Sequence, residues 1–279
     1  MARSLSVKLC DRTPEPSSPS DIDAIFHFRR EITPLHKMNL KCFLTFISFC
    51  GFRLATGQQQ ILGAQPLLRN ASLKDADDIA DVMDAAFSPT PSWQYLYPFS
   101  NKYPKEHHRC VRFGVVQALK AESYHIQLIE APAENSLTVA AVAIWRQGTS
   151  QSGTFAHQLL KECEHRDMNL TRAIDMERKS TAALRKYVNE PFGSNQLYLD
   201  TLCTHPDFQL HGAATRLVGK GIEVGRKDGV NVTVVALPTA ESFYIHIGFY
   251  SIRNFSISSF DEDEYFRYNV MAYNFTSEG

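Results

Sequence analysis

The spacing of hydrophobic and polar residues changes character near residue 66. From Pro66 onward, short apolar runs of strand length alternate with segments in which apolar residues recur at helical spacing. The run Leu137–Trp145 is almost wholly apolar and is typical of a central strand that is buried on both faces. Ser72 is a good helix N-cap, with Asp75 three residues further on as an imperfect capping box.

Applied along the chain, the same pattern predicts strands at 67–69, 124–130, 137–145, 197–205, 230–236, 250–258 and 266–275. It predicts helices after Ser72, over 105–121, over 212–227 and over 239–246, with Gly229 and Gly248 ending the last two. Such an alternation favours an α/β (α+β) protein with helices packed around a mixed sheet.

Residues 155–190 are charged and helical in pattern, and no proline interrupts them before Pro191. This segment lies between the third and fourth predicted strands, so we expect a helical insertion there. The insertion either covers a substrate cleft, together with the aromatic segment Trp93–Phe99, or only buttresses the sheet.

Residues 1–65 differ from the rest of the chain. Thr13–Ser20 is rich in Pro and Ser, which is typical of extended or disordered chain. The apolar run 42–52 is shorter than the roughly 20 residues that a membrane span needs. We expect a poorly ordered extension without a catalytic role, followed by one domain over 66–279. A peripheral anchor, a helix packed on the domain, a targeting segment and an inaccurate start are the alternatives for 1–65.

Composition narrows the classes of partner. The 29 basic and 30 acidic residues nearly balance, which argues against the clustered basic surface of a nucleic-acid-binding protein. The cysteines form no CxxC pair and no metal-ligand spacing, so we expect no metal, free thiols and a cytoplasmic setting. Cys203 lies in a predicted strand and is interpreted as a small buried residue. The six cysteines are Cys10, Cys42, Cys50, Cys110, Cys163 and Cys203.

The most informative segment runs from Cys203 to Phe249. A strand is followed by a turn with Gly212, a helix, the second strand Val230–Ala236 and a second helix that ends at Gly248. A turn that leads into a helix N-terminus exposes unpaired N–H groups and the positive end of the helix dipole. This arrangement predicts a site for an anion such as a phosphate.

The order of these pieces resembles the acyl-CoA-binding core of the GNAT superfamily of N-acyltransferases. Gln209, Gly212 and Ala214 match the family's Gln/Arg-x-x-Gly-x-Gly/Ala signature, and Tyr244 with the pair Gly248-Phe249 matches its later Tyr-x-x-x-Gly-Phe. The resemblance is strongest over 197–257 and extends loosely back to about residue 67. It implies a GNAT-type, mostly antiparallel sheet of six to seven strands, with a helical insertion similar to that of puromycin N-acetyltransferase-like members.

The resemblance also implies acetyl-CoA as co-substrate and a position for it. The CoA pyrophosphate would lie on the turn formed by Gln209, Leu210, His211, Gly212, Ala213 and Ala214. The pantetheine arm would pair with the main chain of Leu202, Cys203 and Thr204, on a strand that splays from its neighbour. Family members often have Arg or Lys where this chain has Leu210 and His211, so Arg216 or Lys220 would have to supply positive charge.

Two side chains are candidates for catalysis. Tyr244 matches the family tyrosine that donates a proton to the CoA sulfur, and its alternative role is that of a packing aromatic. Asp200 interrupts an apolar strand and is the best candidate for the general base, because a carboxylate there is costly to bury unless it is paired or functional. Its alternative is a structural or amine-binding carboxylate. Glu130 is a weaker candidate.

Other histidines are interpreted as lacking a catalytic role. His205 is expected to be a turn residue, and His107 and His108 to be surface or rim residues. The function predicted from the resemblance is transfer of an acetyl group from acetyl-CoA to a small-molecule primary amine, by direct transfer in a ternary complex. A protein lysine or N-terminal acetyltransferase and a non-catalytic acyl-CoA-binding protein remain as alternatives.

Overall fold

The computed structural model describes residues 66–133, 136–149, 163–260 and 263–275. The expectations for 1–65, including the apolar run 42–52, lie outside the described residues and stay predictions, as does the first part of the insertion up to residue 162.

One sheet of seven strands organises the described chain, in the order β1-β2-β3-β4-β5-β7-β6. All neighbouring strands pair antiparallel except β4 and β5, which are parallel. The expected mixed, mostly antiparallel sheet of six to seven strands is therefore confirmed. The strands are β1 (Leu67–Asn70), β2 (Tyr124–Ala133), β3 (Ser136–Gln147), β4 (Gln196–Thr204), β5 (Asn231–Ala236), β6 (Phe249–Ser258) and β7 (Tyr265–Tyr273).

Helices flank the sheet, and the connection between β3 and β4 contains the helical insertion. There α4 continues into a π-helical turn at Arg185–Asn189 and a short helical turn at Glu190–Phe192. The expected helical material between the third and fourth strands is thus present in the described part of that segment. The helices are α1 (Ala76–Phe87), α2 (Pro91–Leu96), α3 (Pro104–Lys120), α4 (Leu170–Leu184), α5 (Ala213–Asp228) and α6 (Glu241–His246).

The start of α1 is fixed by a small ionic network. The Ser72 N–H donates to Asp75 Oδ2 at 2.6 Å, which satisfies one of the N–H groups left free at the helix start. Arg69 on β1 contacts both Asp75 at 2.7 Å and Glu130 on β2 at 2.6 Å. The hydrogen bond from Arg69 is the main cause that lowers the pKa of Asp75 to about 2.

Two apolar layers cover the two faces of the sheet. On one face, α1 and α3 pack on β2 and β3 through residues such as Ile79, Val115 and Leu128. On the other face, α5 packs through Leu217 and Val218. A Cβ on Gly221 would overlap the indole ring of Trp145, so glycine allows α5 to lie directly on β3. Among the described helices, none is both long and apolar enough to cross a membrane.

Candidate active site

Strands β4 and β5 separate in the middle of the sheet. They pair from Gln196 with Asn231 to Leu199 with Val234, and no pair between them follows although both strands continue. The expected splay of this strand is thus confirmed. A cavity of about 270 Å³ occupies the gap between Leu202 on β4 and Leu237 beyond β5.

Asp200 lies in a bulge of β4. Ile144 on β3 pairs with Thr201 and the next residue, Trp145, pairs with Leu199, so Asp200 has no partner across the ladder. A bulge of this kind re-aims a side chain and bends the strand. Asp200 consequently lines the cavity in the β4–β5 gap and also a second cavity of about 390 Å³.

The main chain beyond the bulge presents hydrogen-bonding groups to the gap. The His205 N–H donates to the Ala140 carbonyl on β3 at 2.9 Å. Because hydrogen-bonding direction alternates along an antiparallel strand, Cys203 also faces β3, while Leu202 and Thr204 direct their groups to the gap. The Thr204 carbonyl already accepts from Gln209 Nε2 at 3.3 Å. Cys203 itself is buried, and burial raises the pKa of its thiol to about 12.

The turn after β4 has the backbone geometry of an anion site. Gly212 is the N-cap of α5 with φ of 78°, and Leu210 has φ of 64°, so both occupy the left-handed region. Among the described residues, no backbone carbonyl accepts from the N–H groups of 210–214. His211 Nδ1 lies 2.7 Å from the Gln209 carbonyl, which orients that ring within the turn.

Neither basic side chain of α5 that was expected to serve the turn is free. Arg216 donates to the Pro66 carbonyl at 2.7 Å, and Lys220 pairs with Glu223 at 2.7 Å. The Pro66 carbonyl is neutral, so Arg216 keeps its positive charge, but its side chain is directed to Pro66. The unpaired N–H groups of the turn and the dipole of the 16-residue helix add to the positive potential there. The side chains of Leu210 and His211 are exposed.

Tyr244 lies on α6 beside the gap. Its ring is buried and makes edge contacts with Phe243 and Phe249, yet it also lines the gap cavity. No described residue hydrogen-bonds to the Tyr244 hydroxyl. Burial raises the pKa of this phenol well above its usual value, so it stays protonated at neutral pH.

The environment of Asp200 raises its affinity for a proton. Its side chain is 33% exposed and lines both cavities. Desolvation raises the pKa of Asp200 above its ordinary range, and the guanidinium of Arg146 at 3.4 Å only partly opposes this. A carboxylate with a raised pKa is better matched to proton transfer near neutral pH.

The second cavity has mostly apolar walls. It is lined by Trp93 and Leu96 of α2 and by Tyr97, which follows that helix. From the insertion, side chains of 168–184 close it, and Trp93, Asp200 and Thr201 line both cavities. The aromatic segment and the insertion, which were expected to shape a pocket together, are thus adjacent here. The insertion residues on this wall are Met168, Ala173, Met176, Glu177, Ser180, Thr181 and Leu184.

Two charged residues of this region were not singled out from the sequence. Arg146 is buried at the end of the apolar β3, over the ring of Tyr198 at 4.8 Å. The sequence signal for Arg146 was a basic residue at the end of an apolar strand, just as Asp200 is an acidic residue within one. Glu177 lies on the same helical stripe as Ala173, Ser180 and Leu184, which faces the cavity. The sequence signal for it was therefore a carboxylate on an inward-facing helical stripe.

Two expectations were wrong. Glu130 pairs with Arg69 at 2.6 Å and lines neither cavity, so it is a structural carboxylate. His107 is only 2% exposed and not a rim residue: its Nδ1 lies 2.7 Å from Asp167 Oδ2 and its Nε2 lies 3.0 Å from Asp84 Oδ1. The helix directs His107 inward, whereas its neighbour His108 faces Asp81 at the surface.

The expectation of free thiols also fails at one pair. Cys110 on α3 and Cys163, 53 residues later, form a disulfide beside the second cavity. The ligand atoms of Cys110, Cys163 and His165 lie within 4.8 Å of one another, a grouping that suits a metal ion when the thiols are reduced. Disulfides persist mainly in oxidising compartments, which does not favour the expected cytoplasmic setting. That setting and the absence of a metal both stay predictions.

A family model matches part of the chain. Residues 182–257, which contain the turn and Tyr244, match the model for the acetyltransferase (GNAT) domain. This match supports membership of the GNAT superfamily. No curated protein matches the sequence.

Solved GNAT structures share the fold at low sequence identity. A structure described as histone acetyltransferase HPA2 and related acetyltransferase, from Corynebacterium glutamicum, is 17% identical with a TM-score of 0.51 and covers 75% of this chain and 96% of its own. The mosquito arylalkylamine N-acetyltransferase like 5b is 12% identical with a TM-score of 0.53 and covers 75% of this chain and 99% of its own. These similarities establish the fold and leave the acceptor of this chain open.

Proposed function

We propose that this GNAT protein transfers an acetyl group from acetyl-CoA to the primary amine of a small molecule, by direct transfer in a ternary complex. The observation that carries the proposal is the meeting of the two cavities at Trp93, Asp200 and Thr201. A donor in the β4–β5 gap and an acceptor in the apolar cavity would touch each other beside these residues. Holding two reactants in this way is worth roughly 7–11 kcal/mol of the barrier.

The donor would bind along β4 and the turn. Its pyrophosphate would accept from the free N–H groups of 210–214, at the N-terminus of α5. Its pantetheine amides would pair with the main-chain groups of Leu202 and Thr204 that face the gap, as an added strand does. The thioester would then lie between Asp200 and Tyr244, which line the same gap.

The chemistry divides between two side chains. The carboxylate of Asp200 takes a proton from the substrate ammonium, directly or through a water molecule. The neutral nitrogen attacks the thioester carbonyl carbon, a C–N bond forms and the C–S bond breaks. The departing thiolate takes the proton of the Tyr244 hydroxyl, and the acylated nitrogen, now cationic, loses its second proton through solvent to the Tyr244 phenolate. The products are the N-acetylated amine and CoA.

The shape of the acceptor cavity supports a small molecule rather than a protein. Its volume of about 390 Å³ lies in the range typical of small-molecule sites. The walls supplied by α2, α3 and the insertion enclose it on several sides. A lysine of a folded protein would need an open groove instead.

Acetyl-CoA binding by calorimetry, with full-length protein, tests the donor site. The Gly212→Glu variant places an anion where the pyrophosphate would lie. Gly212→Ala is the matched control, because any side chain at φ of 78° suffers the same backbone strain. We expect the Glu variant to bind acetyl-CoA at least about tenfold more weakly than the Ala variant, since electrostatic repulsion adds to the strain.

Equal binding by the Ala and Glu variants would contradict the placement of the pyrophosphate on this turn. Tight binding without release of free CoA in the presence of any amine would contradict the catalytic proposal and favour a non-catalytic acyl-CoA-binding protein.

A further inference from the structure

The charged side chains of the second, apolar cavity restrict the chemistry of the acceptor, as its volume restricts the size. Among the described side chains that line it are the carboxylates of Glu177 and Asp200, and no lysine or arginine lines it. The other titratable nitrogen base on its wall is His165, whose Nδ1 lies 3.6 Å from the carboxylate of Asp167. A bound molecule would therefore meet negative charge and apolar surface together. This combination favours a cationic head group and disfavours an anionic one.

Glu177 is available to a ligand. Its carboxylate accepts from the Thr181 hydroxyl at 3.5 Å, and no described basic side chain pairs with it. The other acidic residue of α4 is different, because Asp175 pairs with Arg178 at 2.9 Å and Lys179 at 2.5 Å and does not line the cavity. Glu177 therefore differs from a solvated surface carboxylate by its position on the cavity wall.

The remaining walls suit an apolar body. Trp93, Tyr97 and Tyr124 supply aromatic rings, and methionines from α1 and the insertion supply flexible apolar surface. Methionine side chains adapt to irregular ligand shapes. The guanidinium nearest to Asp200 belongs to Arg146, which does not line either cavity and so offers no pairing for a ligand carboxylate.

From these features we infer that the acceptor is a primary amine whose amino group is its single charged group, on a compact uncharged aryl or alkyl body, and that Glu177 is a specificity-determining residue for it. The inference rests on the proposed function, because it assigns the cavity to the acceptor of the same transfer. Amino acids, polyamines and lysine side chains of peptides are then poor acceptors.

The test uses full-length protein, acetyl-CoA and a free-thiol assay with four amines. The amines are 2-phenylethylamine, phenylalanine, spermidine and a lysine-containing peptide. Phenylalanine is the sharpest comparison, because it differs from 2-phenylethylamine only by a carboxylate. We expect kcat/KM for 2-phenylethylamine to exceed that for each of the others at least about tenfold, since an unpaired charge in the cavity is costly.

The Glu177→Gln variant probes the carboxylate, with Glu190→Gln, an exposed residue outside both cavities, as the matched control. We expect Glu177→Gln to raise KM for 2-phenylethylamine several-fold with little change in kcat, and to reduce the discrimination against phenylalanine. The control variant should behave as the wild type.

The possible results distinguish a wrong substrate class from an absence of acetyl transfer. Equal or faster acetylation of phenylalanine, spermidine or the peptide would overturn the substrate class while leaving acetyl transfer in place. Acetyl-CoA binding without acetylation of any of the four would overturn the proposed function and this inference with it. Identical behaviour of Glu177→Gln and Glu190→Gln would overturn the assignment of Glu177.

Discussion

Asp200 combines three properties that one residue seldom has together. It is the unpaired residue of a bulge, it lines both cavities, and desolvation raises its pKa. Its nearest cation, Arg146, approaches within 3.4 Å and is itself buried, so it limits the rise in pKa without removing it. A carboxylate that served only to neutralise Arg146 would need neither the bulge nor access to both cavities.

We predict that Asp200→Asn lowers kcat/KM by about 10²–10⁴-fold, the usual worth of a general base. In the wild type, kcat/KM should fall as the pH is lowered through the raised pKa of Asp200, because only the carboxylate accepts a proton. A pH profile of kcat/KM measures both effects.

The Tyr244→Phe variant is the comparison for that profile. It should be slower than the wild type but should keep the loss of activity at low pH, because Asp200 is intact. An Asp200→Asn variant that folds normally and retains the wild-type profile would rule Asp200 out as the base.

At the scale of elements, the insertion is attached to α3 and α2 at several points. The disulfide joins Cys110 on α3 to Cys163, and the Phe99 N–H donates to the Asp167 carbonyl at 3.0 Å. Arg172 on α4 stacks over the ring of Tyr95 on α2 at 4.6 Å. These contacts hold the insertion as one wall of the second cavity, the proposed acceptor site.

The contribution of the disulfide can be measured. Under oxidising conditions, Cys110→Ser should lower the free energy of unfolding by about 2–4 kcal/mol, because the bridge restricts the unfolded chain. Urea denaturation of wild type and variant, with and without a reductant, checks this. The two proteins should differ little once the wild-type disulfide is reduced. Equal stability under oxidising conditions would show that the pair is not bridged in solution.

At the scale of the whole molecule, His107 couples stability to pH. Burial alone would lower its pKa, but the hydrogen bonds with Asp167 and Asp84 outweigh that effect and raise the pKa to about 9. The hydrogen bond between His107 and Asp84 is the main cause that lowers the pKa of Asp84. For Asp167, desolvation acts to raise the pKa, but the hydrogen bonds to this carboxylate, that of His107 first, lower it. The cluster links α1, α3 and the insertion as a buried, charged unit.

The direction of the pH dependence follows from these shifts. In the folded state His107 keeps its proton up to about pH 9, whereas an unfolded histidine loses it near its ordinary pKa of about 6.5. Its contribution is complete below about pH 6.5 and is lost as the pH rises to about 9, at no more than about 1.4 kcal/mol per pH unit. Asp84 and Asp167, whose pKa values are lowered, act oppositely and lose their contribution as the pH falls into the acid range.

Chemical denaturation between pH 6 and pH 9.5 tests this behaviour. The His107→Gln variant should be less stable than the wild type and should lack the part of the slope that comes from His107. A variant with the full wild-type slope would assign the pH dependence to other groups.

The sequence by itself determined the order of the strands, the helices other than α2, which it did not predict, and the turn after β4. Period-two and helical patterns, caps and glycines act over a few residues, so the described strands fall within a few residues of their predicted bounds. The exposed N–H groups of the turn follow from the same local rules, because Gly212 allows the left-handed conformation at the start of α5.

Only the tertiary structure decided which distant residues meet. His107 lies 60 residues from Asp167, and Cys110 lies 53 residues from Cys163, so no local pattern connects either pair. The bulge at Asp200 depends on the register between β3 and β4, and both cavities depend on how the insertion and α2 pack. Register and packing arise from the whole chain closing on one core, and for this reason the sequence indicated Asp200 and Tyr244 but not Arg146, Glu177 or the buried state of His107.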